Sequence, residues 1–504
     1  MYVLQVVILQ TMDSPEPGAP AENENLRKEV RNPNVWHILL FSFVNGACFS
    51  IWQSQIFQVM ISRIGGNPTV GWLSAASGIT QIVGALIVSA AGNTPRQTIC
   101  RLGALVCLVS VAITIYGVIT LEVVLFYYAS MLWGIYGGMA FTATEALFAD
   151  SVETGKRGFV YNLKWINEAV SGCVGSVACL LMLIYLGNDW DMGTMQVLMY
   201  VGLALHPICC YMLLAVKDRY ALVEKKRPMP TKEPSRIRKK SKETRVSKGG
   251  TLRRSTISNG YGDSERESLV ANQENDSCCG RLSRNVKRCV RWLFGMGALP
   301  YFLCLVSLLV SVGSGVTLPY IGLYFTNDRH VKPVVLMSMS IAVNVFIALS
   351  SMLVHYLTER CMDRVTATVI VRTVAAVFLL VMGLTELSLY ILIPMYVIRQ
   401  ALMNSTTGIT RSILMDCVEK ENRAKWSAFE SFSSFIWSAS AVAGGYIVEV
   451  KGYKYTFVIT AIIHLAAMVV SIPSIFGVRE LDKFCCSNDE GVEEEEGEEE
   501  EKEN

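Results

Sequence analysis

Of the ionisable side chains that stand inside long apolar runs of this 504-residue chain, two have chemistry available to them there. Arg399 follows LYILIPMYVI, with Gln400 beside it and Asn404 a turn further on. A guanidinium so placed binds a carboxylate or phosphate through paired hydrogen bonds; alternatively it snorkels to a membrane interface. Glu145 lies five residues before Asp150, roughly 7.5 Å along a helix from the end of its run. A carboxyl in that position exchanges a proton or pairs with a cation. Ionisable groups within apolar segments are functional candidates by default.

A second set is polar and aromatic. Ser42, Asn45, Trp52 and Gln55 are spaced three or seven apart, so they share one helical face. With Trp133 they either line a pocket for a polar solute or bond neighbouring helices. Lys164 and Glu168 form an i,i+4 pair that can neutralise itself. Charged side chains also flank the apolar runs: Arg96, Arg101, Asp150 and Arg157 in the first half, Arg360, Asp363, Arg364, Asp416 and Arg423 in the second. Their pairing predicts a latch of ion pairs at one end of the molecule, with no chemistry of its own.

Other chemistry is not expected. His37, His206, His330, His355 and His464 are scattered, and the 15 cysteines include no C-x-x-C pair, so neither a metal site nor a cofactor is predicted. There is no phosphate-binding glycine loop. No soluble stretch is large enough for a catalytic domain, so the chain does not read as an enzyme, nor as a nucleic-acid binder.

The elements that must carry these residues are legible from composition. Hydrophobic residues make up 52% and charged residues 17%, against about 25% charge in soluble domains. Twelve apolar runs, approximately 35–61, 70–92, 102–121, 123–149, 158–187, 194–216, 296–325, 333–358, 366–386, 388–415, 425–450 and 455–477, reach the length a bilayer requires. The fold class is therefore an all-α polytopic membrane protein, with twelve transmembrane helices as two pseudo-symmetric six-helix bundles. The expected organisation is a tail 1–33, a bundle 34–216, a basic linker 217–295, a second bundle 296–478 and an acidic tail 479–504.

Short loops on one side hold nine Lys and Arg, against five on the other. That asymmetry places both termini in the cytosol. From Lys217 to Arg291 the linker carries 21 basic and 9 acidic residues, which suits anionic lipid. Arg253-Arg254-Ser255-Thr256 within it fits a phosphorylation site, and Cys278–Cys279 and Cys485–Cys486 fit palmitoylation. The membrane is the plasma membrane or an endomembrane such as the vacuole or lysosome.

The halves repeat. At an offset of 266 residues Asp150, Val152, Glu153 and Arg157 fall on Asp416, Val418, Glu419 and Arg423. Each segment joins the fourth span of its half to the fifth. Glu359-Arg360-Cys361-Met362-Asp363-Arg364 lies between spans eight and nine, and Gly92 through Arg101 lies between spans two and three. With this topology, the chain resembles the major facilitator superfamily, whose G-x-x-x-D-R-x-G-R-R loops these segments match in part. Glu359–Arg364 keeps the Asp-Arg pair without the glycines; Gly92–Arg101 keeps the first glycine and basic residues without the acid.

The resemblance implies that spans one, four, seven and ten line a central cavity. Asn45, Trp52, Gln55, Trp133, Arg399, Gln400 and Asn404 would then meet a solute, and Glu145 would face Arg411 as a gate or coupling pair. The function implied is secondary active transport, with protons as a coupling ion, of a small polar or anionic organic solute by alternating access. The alternative is a transporter-like receptor or regulator that moves nothing.

Overall fold

The computed structural model describes residues 32–53, 55–91, 94–152, 157–221, 299–410 and 423–475. Arg411, Asp416, most of the linker and both tails lie outside them. The side chains of Arg157 and Arg423 are likewise not described. The described residues fall in the unit Met1–Leu222 with Leu293–Asn504; Val223–Trp292 forms a unit of its own.

Thirteen helices carry the spans among the described residues. They are α1 (Pro33–Trp52), α2 (Ile56–Ala90), α3 (Arg96–Thr120), α4 (Val123–Asp150), α5 (Arg157–Leu186), α6 (Met192–Ala204) and α7 (His206–Ala215) in the first half. The second half has α8 (Leu299–Leu323), α9 (Pro333–Arg360), α10 (Arg364–Leu384), α11 (Leu389–Ser405), α12 (Arg423–Lys451) and α13 (Tyr453–Ile475). Helix is the expected solution because a bilayer core offers no water to satisfy backbone N–H and C=O groups. Large apolar side chains cover the outer surface, among them Leu86, Leu105, Ile119, Leu181, Ile184 and Leu353, as lipid contact requires and a soluble surface does not.

Local chemistry sets the ends. Asn32 caps α1 by accepting from Asn34 N at 2.9 Å, with Pro33 in the first turn. Asp191 caps α6 from Gly193 N and Thr194 N. Pro207, in the first turn of α7, has no N–H to continue the ladder, so the sixth span is broken at Leu205. The run predicted over 35–61 is also interrupted, between Trp52 and Ile56. Its separation from the next span falls at Gly66 (φ +79°, ψ 173°), inside the long helix α2. Only glycine takes that conformation without strain, and Pro68, two residues on, has no N–H to continue the ladder across the kink.

The packing reproduces the duplication. In the first half α1 lies on α5, α2 on α4 and α3 on α4; in the second α8 lies on α12, α9 on α11 and α10 on α11. The halves meet where α2 packs on α12 and α5 on α9. Small residues permit the approach, as expected where lipid removes the hydrophobic drive between helices. A Cβ on Gly71 would stand 2.5 Å from Ala441 O, one on Gly78 2.4 Å from Ser438 Cβ, and one on Gly138 only 2.1 Å from Gln81 O.

Gly71→Leu is expected to hold α2 off α12, destabilising the protein by about 1–3 kcal/mol or more through overpacking. Gly408→Ala, with nothing within 4 Å of the added atom, is the matched control. Thermal midpoints in detergent decide: equal midpoints for the two variants would mean that the α2–α12 contact does not hold the halves.

Candidate functional site

Arg399 sits ten residues into α11, about 15 Å along the helix, and is 1% exposed. Its Nη1 donates to Gln400 Oε1 at 2.6 Å, while its Nε, also buried, has no acceptor. One helix away, Arg372 on α10 is buried too. Its Nε donates to Thr406 Oγ1 at 2.8 Å and its Nη2 to Thr410 Oγ1 at 3.3 Å. Neither guanidinium meets a carboxylate among the described residues. His464 on α13 lies within electrostatic reach of both. Its Nε2 is shared between Ser314 Oγ and Val310 O, each at 3.3 Å, and its Nδ1 is unpartnered. Asn404 is turned back on its own helix, donating to Gln400 O at 2.8 Å.

A buried ion left without a counter-charge is strongly destabilising, by about 3–5 kcal/mol when one partner of a pair is removed. Among the described residues the two cations face only neutral acceptors. The arrangement can receive an anion: Arg399 supplies an unused buried N–H, and neutral Gln400 is its one acceptor among the described residues.

The first half places its polar residues differently. Asn45, Trp52 and Trp133 come together, but in the interior of their own bundle. Trp52 Nε1 donates to His206 Nε2 at 3.0 Å, Trp133 Nε1 to Thr114 Oγ1 at 3.0 Å, and Tyr136 Oη to Asn45 Oδ1 at 3.0 Å. Phe49, Trp52, Trp133 and His206 stack with ring centroids 4.8–6.1 Å apart. None of these hydrogen bonds reaches Arg399, although Trp133 and Arg399 are equivalent positions at the 266-residue offset. Gln55 alone crosses to the second half, packing against Gly322 at the end of α8 with its Oε1 unpartnered.

Glu145 is paired with Lys164 on α5, which also lies over the Phe148 ring. Lys164 therefore reaches across to α4. Arg411, expected opposite Glu145, lies outside the described residues. Arg96 pairs with Asp150, tying α3 to α4 within one half. The start of α3 has no cap of its own; Asp218 supplies one, accepting from Arg96 N at 3.2 Å and Gln97 N at 3.1 Å. Arg360 lies over the Tyr356 ring, and Asp363 accepts from Thr366 at 3.3 Å. Arg101 stands exposed at the start of α3, and Arg364 opens α10.

At the end of the bundle away from the termini, hydrogen bonds do join the halves. Trp190 Nε1 donates to Val331 O and Val334 N to Asn188 Oδ1, both at 2.9 Å. Asn67 donates to Glu449 at 3.3 Å and accepts from Tyr453 Oη at 3.1 Å. Beside this seal, Glu386 in the loop before α11 binds Lys454 and Arg329. These two cations, Lys454 first, hold its carboxyl below the ordinary carboxylate range.

Arg372, His464, His206 and Tyr136 were not singled out by sequence reasoning. Arg372 had a signal, a lone charge in the apolar run VIVRTVAAVF. The other three had none, because their partners lie on distant helices.

A family model described as Major Facilitator Superfamily matches residues 2–176 and 303–483. No curated protein matches the sequence. Among solved structures, the chain is similar to a bacterial homologue of the iron transporter ferroportin in an inward-facing state, at TM-score 0.57 and 10% identity, covering 88% of this chain and 98% of that one. It is similar to a bacterial homologue of the human lysosomal transporter Spinster, also inward-facing (0.56, 13%, 88% and 97%). The xylose transporter XylE from E. coli in a partially occluded inward-open conformation is a third (0.58, 11%, 87% and 97%). At these identities the likeness concerns the fold.

Because the carboxyl of Glu386 is lowered in the folded protein, its tie contributes above the ordinary carboxylate pKa and is lost as pH falls through the lowered value. The thermal midpoint of the wild type is expected to exceed that of Glu386→Gln near neutral pH, and the difference to vanish in acid. A difference that persists unchanged into acid would remove the tie.

Proposed function

The chain belongs to the Major Facilitator Superfamily, and on that premise we propose that it carries an anionic organic solute across a membrane by alternating access. It is a multi-pass membrane transporter, not an enzyme. The observation behind the choice of an anion is Arg399, a buried guanidinium on the tenth span whose Nε is unpartnered and whose one acceptor among the described residues is neutral Gln400. A solute carboxylate or phosphate would supply the missing charge through a charge-assisted bond, worth about 1.5–3 kcal/mol. Arg372, one helix away, enlarges the positive field.

The seal through Trp190, Asn188 and Asn67 supports reading this conformation as the one closed at the end away from the termini. Transport requires it to open, so that the halves exchange access to the site. Protons are the proposed coupling ion. Glu145 is the proposed carrier, since protonation would release Lys164 and alter the contact between α4 and α5. The proposed orientation puts both termini in the cytosol, following the loop charges; a tag at Ser255 that intact cells expose to antibody would reverse it.

Uptake into proteoliposomes, across matched panels of carboxylated, phosphorylated and neutral solutes, tests the reading. Arg399→Lys is expected to lower uptake of the anionic substrate at least about tenfold, because a lysine cannot reproduce the planar fork, and Arg399→Ala to lower it further. Glu145→Gln is expected to abolish accumulation driven by a pH gradient while leaving solute exchange. Neutral solutes carried equally by wild type and Arg399→Ala would overturn the anion. A folded protein that moves no solute would favour a non-transporting receptor.

A further inference from the structure

The five histidines look unrelated along the chain, yet one of them stands against two thiols in the fold. Cys48 on α1 and Cys209 on α7 are 161 residues apart, and their sulfurs lie 3.8 Å from each other. His206, one turn before Cys209, completes a trio whose ligand atoms are all within 4.8 Å of one another. All three side chains are buried, Cys48 to 1% and the other two to 0% exposure. We propose that Cys48, His206 and Cys209 form a binding site for a soft, low-coordinate metal cation, Cu(I) in its chemical class, inside the first half of the transporter.

The donor set decides the class. Two sulfurs and an imidazole, with no carboxylate among them, suit thiophilic ions and reject Mg²⁺ or Ca²⁺. Zinc takes four ligands, the fourth a water where protein supplies three, and this set provides three at a position with almost no exposure to solvent. A three-coordinate ion with metal–sulfur bonds of about 2.3 Å holds its sulfurs roughly 4 Å apart, close to the separation present. An independent observation points the same way: the Nδ1 of His206 is fully buried and has no hydrogen-bond partner. An indole N–H can only donate, so Trp52 Nε1 fixes Nε2 as acceptor and leaves the ring proton on Nδ1, where nothing receives it. Leaving a buried donor unmade destabilises by about 1–3 kcal/mol; a metal bonded at Nδ1 would occupy this position, its proton passing to Nε2.

Binding has a consequence for Trp52. Ligation through Nε2 displaces the indole directly. Ligation through Nδ1 moves the ring proton to Nε2, which can no longer accept from Trp52. Either way the Trp52–His206 bond breaks, so tryptophan emission reports occupancy. Each metal–thiolate bond formed releases one proton, and no electron is transferred. Ligation by both sulfurs therefore releases two protons per ion and leaves two thiolates and a neutral ring around the metal.

The test uses the full chain, purified in detergent with reductant and titrated with Cu(I) or Ag(I) against a competing chelator. Bound ion, proton release and tryptophan emission are followed together. The wild type is expected to hold one tight ion, to release about two protons and to change its emission. Cys48→Ala, Cys209→Ala and His206→Gln are each expected to weaken that ion at least about tenfold, on the scale of shell mutations at metal sites, and to lose the emission change. Cys361→Ala, at an exposed cysteine, should retain both. Trp52→Phe should keep the ion and lose the emission change, which guards against a ligand variant that fails to fold. Equal affinity in wild type and Cys48→Ala would overturn the proposal. So would Zn(II) binding more tightly than Cu(I), or a Cys48–Cys209 disulfide whose reduction yields no tight ion.

Discussion

The close approach of α2 to its neighbours is the contact on which the rest of the molecule depends. Gly71 and Gly78 bring it against α12 of the other half, and Gly84 meets Ile135 O and Gly138 of α4. In lipid an apolar side chain gains little by leaving its surroundings, so van der Waals contact and small residues must do what hydrophobic burial does in water. Just past the kink at Gly66, Asn67 of the same helix bonds Glu449 and Tyr453 across the halves. One helix thus joins half to half at its kink and along its length. The other crossing, of α5 on α9, includes Gly172 against Asn344.

On that frame the two halves treat charge in opposite ways. The first neutralises its ions internally: Lys164 with Glu145, Arg96 with Asp150, and Asp218 at the start of α3. The second keeps Arg372 and Arg399 buried against hydroxyls and an amide. Trp133 and Arg399, equivalent by the repeat, show the divergence at a single position. The tryptophan closes an aromatic interior, while the arginine holds an unused donor near mid-helix. Duplication supplied one scaffold, and substitution at matched sites gave one half packing and the other a positive field.

The first bundle is not inert for that. Its interior holds an imidazole locked by an indole and two thiols from facing helices, a grouping that a purely structural core does not need. The broken sixth span makes it possible. Pro207 ends α6 and restarts the helix as α7, with His206 in its first turn and Cys209 directed to the same side as Cys48.

Much of this could be read from the residues themselves. Lengths of apolar runs follow from bilayer thickness and the duplication from the sequence itself, whereas the breaks at Gly66 and Pro207 inside or between those runs emerged only in the fold. That Arg399 and Glu145 are misplaced in lipid was legible in the sequence. Partners were not legible. Lys164 could be assigned to Glu168 by spacing, yet it pairs with Glu145; Asp218 caps a helix 122 residues away; Cys48 meets Cys209 across two helices. Periodicity tells which residues share a face of their own helix, but not what that face meets. In a soluble bundle the apolar stripe reveals the direction of the core. Here lipid and protein interior are equally apolar, so the rotation of each helix, and with it every long-range contact, was decided only when small residues set how the helices lock together.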